Sequence, residues 1–457
     1  MSSFHQHAIN GVQACTLVLR RTRDFNNPNW EDEQESSAYK SAVSSHGLVA
    51  RDHFLDDCKF ILSRDDIPKR IRTLTITSEW SDMRIAQAGW RNGDHSFLRP
   101  LRLCIVKVLS STVNCTELHL QGMRLYGDMV ASMAKMTALR TLRLSGCPLQ
   151  FQCPPSYVPD DLLPTTPIEN LLIDDIDLRT CHTLTVACFF PKVKTLVLQS
   201  RGNQMVHLPS PDYLHTHNPF ASIERLHIEN LGSGGLDFPH FVDCLRRAAA
   251  EGSLRLTHFM FAQASKYDFG QEETSDLLTA LRNAPLEVLV FSGLTYIDED
   301  LFAGLADAVP GLTTLALLYR HNDSQDDCEP SRWPGTTHQY ASYLAAFPRL
   351  KTFAWNYRPE PSYGTSPSDL RVYEDQSNEN ISVDDEWECL ARLFSAHAPT
   401  LRSLVFLSTR GLDTEYRMTT DVAGEVAVEI VRGTQYDHHV SSLFPTHRCG
   451  GDHPWFI

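Results

Sequence analysis

Apolar residues recur along the chain in a six-residue pattern, apolar-x-x-apolar-x-apolar, whose second and third positions are mostly polar. Its eleven matches begin at Ile71, Cys115, Leu139, Ile168, Val193, Ile223, Leu256, Leu286, Leu312, Leu350 and Leu401. From the second match to the ninth, successive starts lie 24 to 33 residues apart. One match arises by chance in a chain this apolar, but a series at such spacing is typical of a repeat protein. Each match therefore predicts a short strand.

Helical apolar spacing precedes many of these strands, at residues 128–136, 238–250, 272–284, 298–309 and 386–397. Acidic residues open several of these segments, and Pro or Gly stands shortly before the next strand, as at Pro285 and Pro348. The repeating unit is therefore helix, breaker loop and strand. Stacked in order, such units predict an α/β solenoid, a horseshoe with parallel strands on its concave face and helices on its convex face.

The repeated pattern resembles the leucine-rich-repeat family, in particular the long, irregular repeat domains of fungal F-box/leucine-rich-repeat proteins. The family often places Asn or Cys three residues after the last patterned apolar position. Cys147 fits that place, whereas Leu294 and Arg320 stand at equivalent places elsewhere. The resemblance implies a protein–protein interaction module, similar to the substrate-recognition part of an SCF-type ubiquitin ligase receptor. A non-ligase scaffold that binds a partner through its concave face is the alternative.

The N-terminal segment bears on the ligase hypothesis, because F-box proteins carry a helical module there that binds a Skp-type adaptor. Residues 14–20 resemble only the later helix of that module, and 52–70 resemble a helix that caps a first repeat. A helical cap, with or without a degenerate F-box remnant, is thus expected at 1–70. A solenoid is expected at 71–410, with a tail or cap at 411–457. Polar insertions are expected near residues 150–167, 320–335 and 358–385.

Charge and cysteine usage narrow the classes of partner and compartment. The net charge of -15 disfavours nucleic acid as a partner, since nucleic-acid-binding proteins usually show a concentrated basic surface. No apolar run reaches the ~20 residues that cross a membrane, and the first twenty residues lack a signal-peptide core. Twelve cysteines occur without a CxxC pair, which favours reduced thiols in the cytoplasm or nucleus.

Candidate catalytic and metal-binding groups are few. His438, His439, His447, Cys449 and His453 cluster near the C-terminus, but only the last two have a spacing typical of zinc ligands. A polar tail is therefore favoured over a zinc site. The sequence contains no Gly-rich phosphate loop and no HExxH or GxSxG motif, so we expect no cofactor, no metal and no enzymatic activity.

Side chains between the patterned apolar positions should face the concave side, because side chains alternate along a strand. In the early repeats these residues are polar, and we expect them to form an exposed surface for a protein partner. They are Glu117, His119, Gln121, Arg143, Asp174, Arg225, His227 and Glu229. Solvated residues without a partner remain the alternative.

The corresponding residues of the later repeats are apolar instead. They are Met260, Val288, Val290, Ala316, Leu318, Ala354, Val405 and Leu407. Such a strip is either covered within the chain or part of a partner site. The insertions near 320 and 358, or the tail where Val426, Val428 and Ile430 alternate as in a strand, could cover it. Internal cover is slightly favoured for Val288, Val290 and Leu318.

Overall fold

All eleven predicted strands form, and each begins two residues after the first apolar position of its match. The structure is a computed structural model that describes part of the chain. The described residues are 13–20, 33–80, 85, 90, 95–148, 167–174, 187, 190, 192–199, 206, 208, 211–216, 218–231, 237–263, 269–320, 333–357, 383–407, 414–420 and 426–432. The chain divides into two units, Met1–Pro219 and Phe220–Ile457.

In unit 1 each strand pairs in parallel with the next strand along the chain. The strands are β1 (Ala14–Leu19), β2 (Thr73–Ser78), β3 (Glu117–Gln121), β4 (Thr141–Ser145), β5 (Asn170–Asp174) and β6 (Thr195–Leu198). The helices are α1 (Glu33–Leu62), α2 (Asp66–Arg70), α3 (His95–Ser111), α4 (Gly127–Ala134) and α5 (Pro211–Thr216). A 3₁₀ turn at Pro219–Ala221 contains the last residue of unit 1 and the first of unit 2.

In unit 2 parallel pairing runs from β7 to β12, and β13 and β14 then add in antiparallel fashion. The strands are β7 (Arg225–Glu229), β8 (His258–Ala262), β9 (Val288–Leu294), β10 (Thr314–Tyr319), β11 (Thr352–Trp355), β12 (Ser403–Phe406), β13 (Thr414–Thr420) and β14 (Val426–Arg432). The helices are α6 (Asp237–Ala250), α7 (Gln271–Leu281), α8 (Glu299–Ala308), α9 (Thr337–Leu344) and α10 (Val383–His397).

The patterned apolar residues form the core between strands and helices. All residues at the first, fourth and sixth positions of the eleven matches are buried. In β8 the rings of Phe259 and Phe261 stack on Phe241 of α6, and in β11 Trp355 packs on Phe394 of α10. Each unit is therefore an α/β, leucine-rich-repeat-like solenoid in which helices cover one face of a mainly parallel sheet.

A backbone ladder at the second position joins each repeat to the next. The carbonyl of Arg72 accepts hydrogen bonds from the amides of Thr116 and Glu117, at 2.7 and 3.0 Å. The same two-donor arrangement recurs at the carbonyls of Thr116, Arg140, Glu169, Glu224, Thr257, Glu287, Thr313 and Lys351. Side chains at this position are exposed or half-buried, so the position can be polar, as the pattern shows.

Five of the matches carry a basic residue at the second position, and in two of them it binds the loop before the strand; the five are Arg72, Arg140, Lys194, Lys351 and Arg402. The guanidinium of Arg402 donates to the carbonyl of Pro399 at 2.9 Å, and that of Arg140 donates to Thr137 at 3.4 Å. Where Thr occupies the position instead, its hydroxyl reinforces the ladder, as when Thr257 donates to the carbonyl of Glu224 at 3.0 Å. Both residue types thus satisfy carbonyls at the start of the strand.

A left-handed residue ends several of the strands, at the eighth position counted from the start of the match. Gly122, Gly146, Asn230 and Gly293 have φ of 64, 58, 54 and 85°. Glycine and asparagine are the residues that adopt this conformation at least cost. The amides of Gly122 and Asn230 donate to carbonyls of the next repeat, Ser145 and Ala262, each at 2.8 Å. The turn therefore extends the ladder beyond the strand.

The structure corrects the interpretation of residues 14–20, which form strand β1 rather than an F-box helix. Cys15, Leu17 and Leu19 alternate with less buried residues, so the segment has the two-residue period of a strand. β1 pairs with β2 in the same parallel manner as the later repeats. The helical part of the N-terminal segment lies after it, in α1 and α2.

Most helix predictions are confirmed within a few residues, in α4, α6, α7, α8 and α10. The single helix expected at 52–70 forms as parts of two helices, because α1 runs from Glu33 to Leu62 and α2 from Asp66 to Arg70. The sequence did not predict α3, where Pro100 interrupts the pattern, or α9. The strand suggested by Val426, Val428 and Ile430 is β14. The insertions lie largely outside the described residues, and the domain boundaries stay predictions.

Cys147 occupies the place that the resemblance assigned to it. It is buried, and its thiol donates to the carbonyl of Leu120 in the preceding repeat at 3.2 Å. At the equivalent places of unit 2, Leu294 is buried and Arg320 donates to the carbonyl of Gln263 at 3.4 Å. The recurrent Asn or Cys that the family often has at this place is thus replaced by different residues with different contacts, as the irregular sequence suggested.

Two glycines in unit 2 test the turn at the strand end. A Cβ at Gly293 would overlap the carbonyl of Gln263, whereas one at Gly252, also at positive φ, would meet no atom within 4 Å. Gly252→Ala should cost about 1–2 kcal/mol from the backbone conformation alone. Gly293→Ala should cost clearly more, measured as free energy of unfolding by chemical denaturation. Equal losses for both variants would contradict the close approach of neighbouring repeats.

Candidate functional site

The face of each sheet opposite the helices, here called the open face, carries side chains from the third, fifth and seventh positions of each match. In unit 1 the strand register aligns them in rows. His119 lies beside Thr75 on one side and Arg143 on the other, in the row of fifth positions. Gln121 lies in the row of seventh positions, between Thr77 and Ser145.

Exposure falls steadily along the fifth-position row of unit 1. Thr16 is exposed in β1, and His119 and Arg143 are half-buried in β3 and β4. Leu172 and Val197, in β5 and β6, are buried at 6 and 0% exposure. Water therefore reaches the open face from β1 to β4. It also reaches the C-terminal end of β5, where Asp174 is half-buried.

Five of the predicted site residues lie on this accessible part of unit 1, here called the polar face. They are Glu117, His119, Gln121, Arg143 and Asp174. Glu117 and Gln121 are exposed and the other three are half-buried. The face carries both signs of charge, and its rows continue into Thr73, Thr75 and Thr77 of β2. Within the face, the Asn170 side-chain amide donates across the strands to the Thr141 hydroxyl at 3.3 Å.

The other three predicted residues belong to β7 of unit 2, and the structure places two of them in the interior. His227 and Glu229 are 0 and 2% exposed, and His227 Nε2 lies 2.9 Å from Glu229 Oε1. The expectation that these two form an exposed surface is therefore wrong. Their register partners, Met260 and Ala262, are buried too, so solvent does not reach this part of the open face. Arg225 is half-buried and stays a candidate contact residue.

One half-buried histidine borders Arg225. His258, at the third position of β8, is its register partner, and His258 Nδ1 lies 2.9 Å from the Thr257 hydroxyl. Burial, followed by the positive charge of Arg225, lowers the pKa of the His258 imidazole. The ring is therefore neutral over a wider pH range, and the positive charge here belongs to Arg225.

The apolar strip of the later repeats is buried within the chain. Its members form one cluster with exposures of 0 to 8%: Met260, Ala262, Val288, Val290, Ala316, Leu318, Ala354, Val405 and Leu407. Val288, Val290 and Leu318 are thus covered by other residues of the same chain in this structure. The residue ranges suggested as cover, near 320 and 358, lie largely outside the described residues. β8 to β12 are therefore buried on both faces.

Several polar residues on this buried face were not predicted, and Asn356 is one of them. Asn356, at the seventh position of the β11 repeat, is fully buried. Its Oδ1 accepts from the Tyr319 amide at 2.9 Å and from Trp333 Nε1 at 3.1 Å, and its Nδ2 donates to the Tyr319 carbonyl at 2.8 Å. The side chain thus closes the end of β10 and fixes Trp333. The only indication of its role in the sequence is that an Asn follows a run of mostly apolar residues.

The described residues bring together no group of three or more His, Cys, Asp or Glu side chains that could hold a metal ion. The C-terminal histidines and Cys449 lie outside the described part. None of the helices that the structure describes is both long and apolar enough to cross a membrane. The cysteines seen there, such as Cys15, Cys115 and Cys244, are free thiols.

Comparison with known proteins gives no match to a family model and none to a curated protein. Fourteen chains of solved structures are similar, TLR13 and LegL7 among them. TLR13 in complex with ssRNA13 has 14% sequence identity and a TM-score of 0.37, over 66% of this chain and 35% of that one. The leucine-rich repeat-containing protein LegL7 from Legionella pneumophila has 13% identity and a TM-score of 0.36, over 67 and 88%. The chain thus spans about a third of the TLR13 chain's length. At these TM-scores neither structure carries a site or a ligand over to this chain.

A charge introduced at the fifth position of one strand in each unit tests which part of the open face is buried in the core. Val290→Asp puts a carboxylate where the exposure is 2%, so the variant should lose several kcal/mol of stability or fail to fold. Thr16→Asp makes the matched change at an exposed position and should cost about 1 kcal/mol or less. Thermal and denaturant unfolding measure both. A well-folded Val290→Asp protein would show that the late strip is not core.

Proposed function

We propose that the protein is a non-catalytic interaction module that binds a protein partner through the polar face of unit 1. The observation that carries the proposal is the contrast along the open face. In the described part of the chain, charged side chains reach solvent on β3 to β5, whereas the fifth-position residue of every strand from β5 to β12 is buried. A repeat array that keeps one polar stretch accessible offers it as a binding surface.

The chemistry of the polar face favours a protein over a nucleic acid. Glu117 and Asp174 place negative charge on either side of Arg143 and His119, so the surface is mixed in sign. Phosphate-binding surfaces are predominantly positive, and the chain carries a net charge of -15. A protein segment with polar groups of both signs complements such a surface, and charge pairing then fixes its register.

The side-chain types suit recognition as well. The Thr residues of β2 are short and lose little conformational entropy when a partner orders them. Arg143 is the longest side chain of the face and has the donor geometry that makes arginine a frequent energetic centre of interfaces. We expect Arg143 to lie at the centre of the contact, with His119 beside it and Glu117 and Gln121 at the rim.

The ubiquitin-ligase role that the resemblance implied is a finer proposal with less support. Residues 14–19, which prompted the F-box comparison, form a repeat strand instead. What supports the role is the repeat architecture alone. A non-ligase scaffold accounts equally well for that architecture. We place the protein in the cytoplasm or nucleus, because its described cysteines are free thiols, as expected of a reducing compartment.

Affinity purification of the full-length chain, with mass spectrometry of the recovered proteins, tests the proposal. Arg143→Glu should reduce recovery of the principal partner about 30-fold or more, as expected when ~2 kcal/mol of a central contact is lost. Arg246→Glu is the matched control, because Arg246 lies on α6 and pairs at the surface with Asp243. The control should leave recovery unchanged.

Three outcomes count against the proposal or its finer form. Equal recovery by the wild type and by folded Arg143→Glu would exclude the polar face as the contact surface. Crosslinking to RNA in place of protein, lost in Arg143→Glu, would replace the protein partner with a nucleic acid. Absence of a Skp-type adaptor among the recovered proteins, under conditions where an F-box protein recovers it, would remove the ligase role and leave the scaffold.

A further inference from the structure

Exposed cations are concentrated at one edge of the unit 1 sheet, where its strands begin. Backbone hydrogen bonds of 2.7 to 2.9 Å join the second positions of successive repeats there, in the order Arg72, Thr116, Arg140, Glu169 and Lys194. Helix ends and loops just before these strands add further lysines. The cations of this edge, here called the basic edge, are Lys69, Arg72, Lys135, Arg140, Lys192 and Lys194, and all six are exposed.

The six cations of the basic edge have no ion-pair partner in the described part of the chain. The ion pairs seen there in unit 1 involve other cations, namely Arg51, Lys59, Arg64, Arg70 and Arg102. The nearby carboxylate of Asp66 is shared between Arg64 and Arg70. The chain has 56 acidic against 41 basic side chains, so a group of unpaired cations runs against its overall charge. Pairing within the chain therefore does not account for the basic edge.

Hydrogen bonds to the repeats account for only part of it. One guanidinium nitrogen of Arg72 donates to the carbonyl of Asn114 at 2.9 Å, and one of Arg140 donates to that of Thr137 at 3.4 Å. The other nitrogens of both groups stay available to a ligand. A helix C-terminus favours a nearby cation, which suits Lys69 and Lys135, but Lys194 belongs to the backbone ladder itself.

We propose that the basic edge binds an acidic, extended segment of a partner protein. Adjacent parallel strands are about 4.8 Å apart, so Arg72, Arg140 and Lys194, on alternate strands, follow one another at steps of about 10 Å. An extended chain rises about 3.3 Å per residue, so carboxylates three residues apart match these steps. A segment of about seven residues then spans the three cations, and the lysines beside them reach its remaining acidic groups.

The composition of the basic edge favours a protein segment over a nucleic acid. The edge contains no aromatic side chain, so the bases of a single strand would have no surface on which to stack. The net charge of -15 also repels a long polyanion more strongly than a short acidic segment. Glu169 lies between Arg140 and Lys194 on the ladder and leaves room for one uncharged group of the ligand.

The basic edge is confined to unit 1 and is separate from the polar face. In unit 2 the same ladder carries Glu224 and Glu287 as well as Lys351 and Arg402, so both signs of charge occur there. The polar face uses the third, fifth and seventh positions of the repeats, whereas the basic edge uses the second. This inference is therefore independent of the partner proposed above.

Binding of a rhodamine-labelled octaglutamate peptide to the full-length protein, measured by fluorescence anisotropy at low salt, tests the proposal. Lys135→Glu/Lys194→Glu should weaken binding about 10-fold or more, because two cations of the edge become repulsive. Neither lysine donates a side-chain hydrogen bond within the described residues, so the variant should fold. Binding by the wild type should weaken as salt rises, because exposed charges are screened. A labelled Gly-Ser octapeptide should not bind.

The matched control is Lys40→Glu/Arg99→Glu, which changes the net charge equally at exposed positions of α1 and α3. This control should bind octaglutamate as the wild type does. No binding by the wild type at low salt, or equal weakening in both double variants, would overturn the proposal, because the cations would then be solvated charges only. Tighter binding of octauridylate than of octaglutamate, lost in Lys135→Glu/Lys194→Glu, would overturn it in favour of a nucleic acid.

Discussion

The stacking of each strand on its predecessor is the constraint on which the rest of the structure depends. One carbonyl at the second position of a repeat accepts two amides of the next, and this contact recurs through both units. It fixes the register of each strand to within one residue, so every apolar triplet faces the helices. The residues with left-handed backbone at the C-terminal ends of strands, such as Gly122 and Gly293, keep neighbouring repeats equally close at that end of the sheet.

Once the register is fixed, the difference between the two units follows from the residues on the open face. In unit 2 the fifth-position residues from β8 to β12 are apolar and buried, so strands such as β9 and β10 are mostly apolar, as in parallel sheets covered on both faces. In unit 1 the fifth positions of β1 to β4 hold Thr, His and Arg, and the face is accessible there. Among the described residues, the accessible part of the open face is therefore the part where a second apolar layer is absent.

The strands could be predicted from the sequence because the same pattern, three apolar residues in six, occurs eleven times. Its repetition fixes the residue at which each strand begins. Sequence reasoning missed β1 because one short alternating segment also resembles part of a helix, and α3 because Pro100 stands inside it. Burial of the open face was harder to predict. His119 and His227 occupy the same position in their repeats, yet one is half-buried and the other fully buried. The pattern of apolar and polar residues within one repeat does not predict this difference in exposure, because contacts with residues distant in sequence decide it.

These two histidines also allow the most direct test of the account. Hydroxyl-radical footprinting oxidises side chains according to their solvent exposure, and peptide mass spectrometry reads the two histidines in one sample of native protein. The account predicts oxidation of His119, protection of His227 until the chain unfolds, and protection of His119 when the partner is bound. Equal modification of both histidines in the native chain, or no change at His119 on partner binding, would contradict it.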